Sequence, residues 1–205
     1  MGKKITLQAV FNTWSGYGQM TCEVFSGLKQ RGWDVICKPI RIDESPDTLV
    51  PLEIKKCIDY KLQTDLELLI TTFFRSTAPT PGKRTVLWTM WESIILPQAS
   101  VAVCNLADAV IVPCDWNRDV FSKAGVTPPI HVVPLGINPT IFSPSPVRKT
   151  GLCVFGAGGC LTSSGRKQLD LVIEGFQMAF PHVDDVRLKL KILPGESLNV
   201  DDKRI

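Results

Sequence analysis

Two stretches of this chain combine residue types suited to holding a phosphate, and each lies where a strand gives way to a helix. The first is Gly156-Ala157-Gly158-Gly159, followed by Thr162, Ser163 and Ser164 and then by Arg166-Lys167. Glycines let backbone approach an anion, a helix start offers free N–H groups, and two cations add charge. Singly, such glycines serve turns and such cations open solvated helices. In this order, after the apolar run Leu152–Phe155, they point to a phosphate site. The second stretch is Trp14-Ser15-Gly16-Tyr17-Gly18-Gln19, after the apolar run Ile5–Phe11. A dinucleotide fingerprint needs a third glycine, where Thr21 stands, and an acid ending the second strand, where Lys38-Pro39 stands. Asp43 comes later, in a loop. The nicotinamide fingerprint is incomplete. Gly16 and Gly18 are left between a ligand role and a tight turn that packs helix on strand.

Further candidates follow later strands. Trp88-Thr89-Met90-Trp91-Glu92-Ser93 sets an acid among two tryptophans and two hydroxyls, a mixture suited to polar ring-shaped ligands such as sugars. Glu92 could instead favour the start of the next helix. Asp115-Trp116-Asn117 reads chiefly as a helix cap. Val133-Pro134-Leu135-Gly136-Ile137-Asn138 leads out of the domain, its glycine serving the turn.

The elements that must position these residues alternate. Strands are expected over Ile5–Phe11, Asp34–Pro39, Leu66–Thr71, Thr85–Thr89, Ala109–Pro113 and Ile130–Val133. Helices are expected over Gln19–Arg31, Leu52–Leu62 and Leu96–Leu106, with a further one after Asp115. Gly32 is placed to end the first helix. Apolar rather than alternating strands indicate a parallel sheet covered on both faces, hence a doubly wound, Rossmann-like α/β domain. Ligands of such sheets bind at the carboxyl ends of the strands, where the stretches above fall. A proline-rich connection over Pro139–Thr150 separates this domain, residues 1–143, from a second Rossmann-like β-α-β unit, residues 144–205. There Leu152–Phe155 and about Val186–Leu193 are strands. Leu169, Val172, Ile173, Phe176 and Phe180 share one face of the helix between them. The second unit reads as truncated, with residues 196–205 adding no element. Its strand edges and apolar helix face suggest self-association through residues 151–205.

The composition is that of an ordinary globular protein: 205 residues, 44% hydrophobic, 21% charged, net charge +3. Interspersed charges give no nucleic-acid footprint. No apolar run approaches the ~20 residues of a membrane span. The start reads as a first strand rather than a signal peptide. Seven cysteines without a C-x-x-C pair read as free cytoplasmic thiols. His131 and His182 lack metal-ligand spacing, so no metal is expected.

Three segments resemble family 4 (group 1) glycosyltransferases. Residues 107–144, ADAVIVPCDWNRDVFSKAGVTPPIHVVPLGINPTIFSP, are similar almost end to end to the segment closing that family's N-terminal domain. WTMWES resembles a stretch in one branch of it. GRKQLDLVIEGF looks like the R-K-G-x-D-x-x-x-x-A-F start of its second domain. The resemblance is strongest from Arg84 to Leu193. It implies a GT-B fold and transfer of a sugar from a nucleotide-sugar donor to a glycan or small-molecule acceptor. Anomeric configuration would be retained, with no metal ion and no cofactor beyond the donor substrate. It implies that Lys167 meets the donor diphosphate, with Arg166 beside it. Gly16 and Gly18 match the family's first-turn glycines near acceptor and diphosphate. Glu92, Gly156 and Gly158 complete the expected site. The sequence departs from the family pattern at Ala157 or Gly159, where many members carry arginine, and at Gln168, where the pattern has glycine. The family's E-x7-E region has no counterpart here, so binding without turnover is expected. A non-catalytic nucleotide- or sugar-binding module is the alternative, and an NAD-dependent oxidoreductase the second alternative.

Overall fold

The computed structural model describes residues 2–13, 15–40, 50–58, 63–72, 77–144, 151–159, 167–192, 197 and 200–205. Trp14, Asp43, Cys160, Thr162, Ser163, Ser164, Arg166 and Leu193, and residues 59–62 of the second expected helix, lie outside the described residues. The chain separates into two compact units, Met1–Phe142 and Ser143–Ile205.

In the first unit the elements run β1 (Lys3–Ala9), α1 (Gly16–Gln30), β2 (Trp33–Pro39), α2 (Leu52–Lys55), β3 (Leu66–Ile70) and β4 (Arg84–Trp88). They continue α3 (Gln98–Cys104), β5 (Ala109–Val112), α4 (Asp115–Ala124) and β6 (Ile130–Val132). The six strands form one sheet in the order β2-β1-β3-β4-β5-β6, and every pairing is parallel. This is the doubly wound α/β architecture expected. The strand order reverses direction between β1 and β3, which makes the carboxyl ends of those strands the natural ligand crevice.

Alternate residues of the central strands serve two cores. Leu68 and Ile70 join Ile5, Leu7, Phe25 and Ile54 on the face of α1 and α2. Leu69, Leu87, Val110 and Val112 join Val101, Cys104, Val120 and Phe121 on the face of α3 and α4. A parallel strand buried on both faces reads as an apolar run for this reason.

The first unit also holds a polar interior that its apolar strand pattern does not announce. Glu67, within the run Leu66–Ile70, is fully buried. Its carboxylate accepts hydrogen bonds from Thr80 N (2.9 Å), Thr80 Oγ1 (2.6 Å) and Thr85 Oγ1 (3.1 Å). Lys83 Nζ donates nearby to Thr6 Oγ1 (2.8 Å) and Thr64 Oγ1 (3.1 Å). These groups gather toward the amino ends of the strands, away from the ligand crevice, and satisfy one another as buried polar groups must.

Some boundaries differ from expectation. Helix α3 starts only at Gln98, after Pro97, which has no N–H to give and fixes its own φ near the helix entrance. Asp115 is the first residue of α4 rather than its cap. Cys114 occupies the cap without a side-chain hydrogen bond, and Asp115 instead pairs with Arg118 at 2.7 Å. Gly32 and Gly125, just past α1 and α4, have φ of 75° and 99°, a conformation glycine adopts without strain.

In the second unit β7 (Cys153–Gly158) and β8 (Val186–Lys191) pair in parallel, joined by α5 (Leu169–Ala179). Ile173, Phe176, Val186 and Leu188 form its buried core. Of the helix face expected to be apolar, Leu169, Ile173 and Phe176 are buried and Val172 stands exposed. The closing residues do more than expected. Val200 and Ile205 pack on this core, and Leu188 N donates to Arg204 O at 2.8 Å on the edge of β8. Arg204 also donates to the Phe180 carbonyl and to Asp202, and that hydrogen-bonded guanidinium holds the Asp202 carboxyl well below the usual carboxylate range.

Candidate functional site

The β1–α1 junction is organised by Asn12, which the sequence reading passes over. Asn12 is fully buried, and its Oδ1 accepts from both Ser15 N and Ser15 Oγ at 2.8 Å. Ser15, so held, caps α1: its Oγ accepts from Gly18 N at 3.0 Å. The two glycines of this stretch then part company. A Cβ on Gly18 would lie 2.3 Å from Asn12 Oδ1 and 2.5 Å from Asn12 O, so Gly18 is required by close packing. A Cβ on Gly16 would meet nothing within 4 Å. Both glycines lie inside the first turn of α1, not in a loop before it, because the helix begins at Gly16. Cys22, one turn further, donates its thiol to Asn12 O at 3.7 Å, and burial with the neighbouring Glu23 pushes that thiol up to about 11.

The stretch after β4 is fixed from a distance. Asn117 in α4, nearly fully buried, donates from Nδ2 to Trp91 O at 2.8 Å and accepts from Trp91 N at 3.4 Å. Trp91 Nε1 in turn donates to Ile95 O at 2.7 Å. This brace turns residues 91–95 into a defined loop and leaves Glu92 exposed. Glu92 lies six residues before α3 and takes no part in its cap. It lies instead near Tyr17 in the first turn of α1. Burial pushes the Tyr17 phenol up to about 12, opposed by the Thr89 hydroxyl and Met90 backbone and reinforced by the Glu92 carboxylate. The fold therefore brings Gly16, Gly18 and Glu92 to one edge of the sheet.

That edge carries several buried polar atoms. Among the described residues, Asn12 Nδ2 and Trp88 Nε1 are buried there without a hydrogen-bond partner, while the Tyr17 phenol is buried against the Thr89 hydroxyl. Unpaired buried groups are rare, and these two donors at the carboxyl ends of β1 and β4 mark a place where polar partners are wanted. Beside it runs a groove of about 710 Å³ between α1 and the segment after β6. Gly16, Gln19, Met20, Glu23 and Val24 line one side, Leu135 to Asn138, Ile141 and Phe142 the other, with Trp88 between.

In the second unit Gly156 and Gly158 are residues of β7, paired with Lys189 and Lys191, and not the turn after it as expected. The sheet ladder overrides the weak strand preference of glycine. Lys167 is exposed, two residues before α5, and its stem lies across Gly159: a Cβ there would be 2.6 Å from Lys167 Cβ. Lys167 and the last glycine of the run are thus brought together at the carboxyl end of β7 and the amino end of α5. Arg166 lies outside the described residues.

A scan against protein-family models finds no match to this chain, and a search of curated proteins finds no significant match. Among the described residues no helix is long and apolar enough to cross a membrane, and no cluster of His, Cys, Asp and Glu side chains is arranged to hold a metal ion. Asn12 and Asn117 are the organising residues the sequence does not advertise. Asn12 stands three residues before the capping Ser15, a local sign that could have been read. Asn117 acts across 26 residues of chain and leaves no such sign.

Proposed function

We propose that this chain serves glycosyl transfer from a nucleotide sugar, the first unit receiving the acceptor and the second holding the donor diphosphate. The observation that carries the reading is the meeting of Gly16, Trp88 and Glu92 at the carboxyl edge of a Rossmann-like parallel sheet. The family resemblance of residues 107–144 and of residues 165–176 supports it. So does the position of Lys167 over Gly159, ahead of α5. In the reaction, the bond from the anomeric carbon to the diphosphate oxygen breaks and its electron pair leaves with the diphosphate. The acceptor hydroxyl oxygen bonds that carbon, and its proton passes to a diphosphate oxygen or to water. The Lys167 ammonium offsets the charge gathering on the leaving diphosphate. Glu92 accepts a hydrogen bond from an acceptor hydroxyl. Calorimetric titration with UDP, GDP, ADP and NAD tests the reading. Saturable binding of one nucleoside diphosphate, with NAD inert, supports it. Binding of NAD alone, or of none of the four, overturns it.

A further inference from the structure

The groove along α1 has features that binding a sugar donor does not explain. Its volume of about 710 Å³ falls within the usual span of small-molecule sites. Leu135, Ile137, Ile141 and Phe142, all lining it, are 49%, 74%, 61% and 59% exposed. Single exposed apolar side chains are ordinary, but four within eight residues along one groove are a concentrated patch.

That wall is held in place rather than draped. Asn138 Nδ2 donates to Glu23 Oε1 on α1 at 2.9 Å. Asn138 Oδ1 accepts from Thr140 N (3.1 Å) and Thr140 Oγ1 (2.7 Å). Its carbonyl accepts from Ile141 N (3.1 Å) and Phe142 N (2.9 Å). One residue thus fastens the segment to the helix through its side chain and folds the turn that presents Ile141 and Phe142 through its side chain and carbonyl. A wall fixed before binding has less ordering entropy to lose when a ligand arrives. The opposite wall offers Met20 and Val24, with Glu23 and Gln19 at the rim and Arg31 at the far end of α1. One carboxylate and one guanidinium cancel, so the groove favours neither an anionic nor a cationic head. Glu23 and Gln19 suit hydroxyl groups. Trp88 Nε1, buried without a partner, adds a donor beside the apolar surface.

We propose that this groove binds an amphipathic small molecule, with a hydrocarbon chain along Met20, Ile137 and Phe142 and an uncharged, hydroxylated head at Glu23. Its service as the acceptor rests on the glycosyl-transfer reading; the binding itself does not. The test titrates the full chain with hexyl, octyl and decyl β-glucoside, below micelle-forming concentrations. Affinity is expected to rise about fourfold per methylene. Ile137→Ser with Phe142→Ser, both at exposed positions, is expected to flatten that rise and weaken decyl glucoside binding at least tenfold. Glu23→Gln is expected to weaken all three ligands by a similar factor and keep the rise. No binding by wild type, or an unchanged rise in the Ile137→Ser, Phe142→Ser variant, overturns the proposal. Parallel titration with nucleoside diphosphates separates the two readings. Diphosphate binding without alkyl-glucoside binding sinks the groove alone, and the reverse sinks glycosyl transfer alone.

Discussion

Placing alanine at Gly18 forces a methyl group into Asn12. The new Cβ would stand 2.3 Å from Oδ1, 2.6 Å from Cγ and 2.5 Å from the backbone oxygen. Asn12 is fully buried, so it has no solvent to retreat into, and moving it strips Ser15 of the two hydrogen bonds that hold the α1 cap. Overpacking of this kind costs about 1–3 kcal/mol. The lost hydrogen bonds add about 1 kcal/mol each where they are not already counted in that strain. Alanine returns about 1 kcal/mol through its better helix propensity. The expected balance is a loss of about 2–3 kcal/mol. Gly16→Ala is the control two residues away, where the methyl group meets nothing within 4 Å. Its stability is expected to stay within about 0.5 kcal/mol of wild type. Urea unfolding followed by tryptophan fluorescence, with hydrogen exchange of the α1 amides, measures both. Equal midpoints for Gly18→Ala and Gly16→Ala would refute the packing role assigned to Gly18 and, with it, the organising role of Asn12.

Other expectations follow from the same contacts. Ser15→Ala removes the side-chain cap of α1 and is expected to cost about 1 kcal/mol in the same unfolding assay. Glu67→Leu orphans Thr80 N and Thr85 Oγ1, at about 1–3 kcal/mol for each buried group left unpaired, so its urea midpoint is expected to fall well below that of Ser15→Ala. With Ellman's reagent at pH 8, the exposed Cys114 and Cys153 are expected to react first. Cys37 and Cys104, whose thiols burial pushes up to about 12, are expected to react only on unfolding; fast labelling of either in the native protein would contradict their placement. Tyr17 is expected to ionise near pH 12. Folding favours its neutral form, so its contribution to stability is full below the ordinary tyrosine value of 10.0 and is lost as pH rises through about 12. Ultraviolet titration detects this, and Tyr17→Phe is expected to remove the late phase.

Much of the fold is legible because local and global preferences agree. The run Leu66–Ile70 is apolar enough to read as a central strand, and Gly125 stops α4 where the periodic pattern ends. What the sequence hides is long-range pairing. Glu67 stands as a lone acid in an apolar strand, and nothing local names its partners Thr80 and Thr85. Asn117 reads as a capping residue until α4 comes to rest beside Trp91. Gly156 and Gly158 read as a turn because glycine alone disfavours strands, and only the ladder with β8 holds them extended. The short α2 illustrates the opposite error: where a helix is expected over Leu52–Leu62, the described residues form a single turn, Leu52–Lys55, followed by Cys57, whose carbonyl accepts from Cys37 N at 2.8 Å. That backbone bond draws the chain toward the edge of the sheet, which a helix pattern cannot show. The groove was likewise invisible, since its walls, α1 and residues 135–142, are far apart in sequence and meet through long-range contacts such as Glu23–Asn138.

The measurement that bears most directly on glycosyl transfer compares nucleoside diphosphate binding by wild type and Lys167→Ala. Lys167 is exposed, so the substitution leaves the core of the second unit intact. A charge-assisted hydrogen bond to the diphosphate is worth about 1.5–3 kcal/mol, so removing the ammonium is expected to weaken binding about 10- to 100-fold. A dissociation constant raised by that factor, with an unchanged unfolding midpoint, is the result expected. Equal affinities for the two proteins, or no diphosphate binding by wild type, would contradict the assignment.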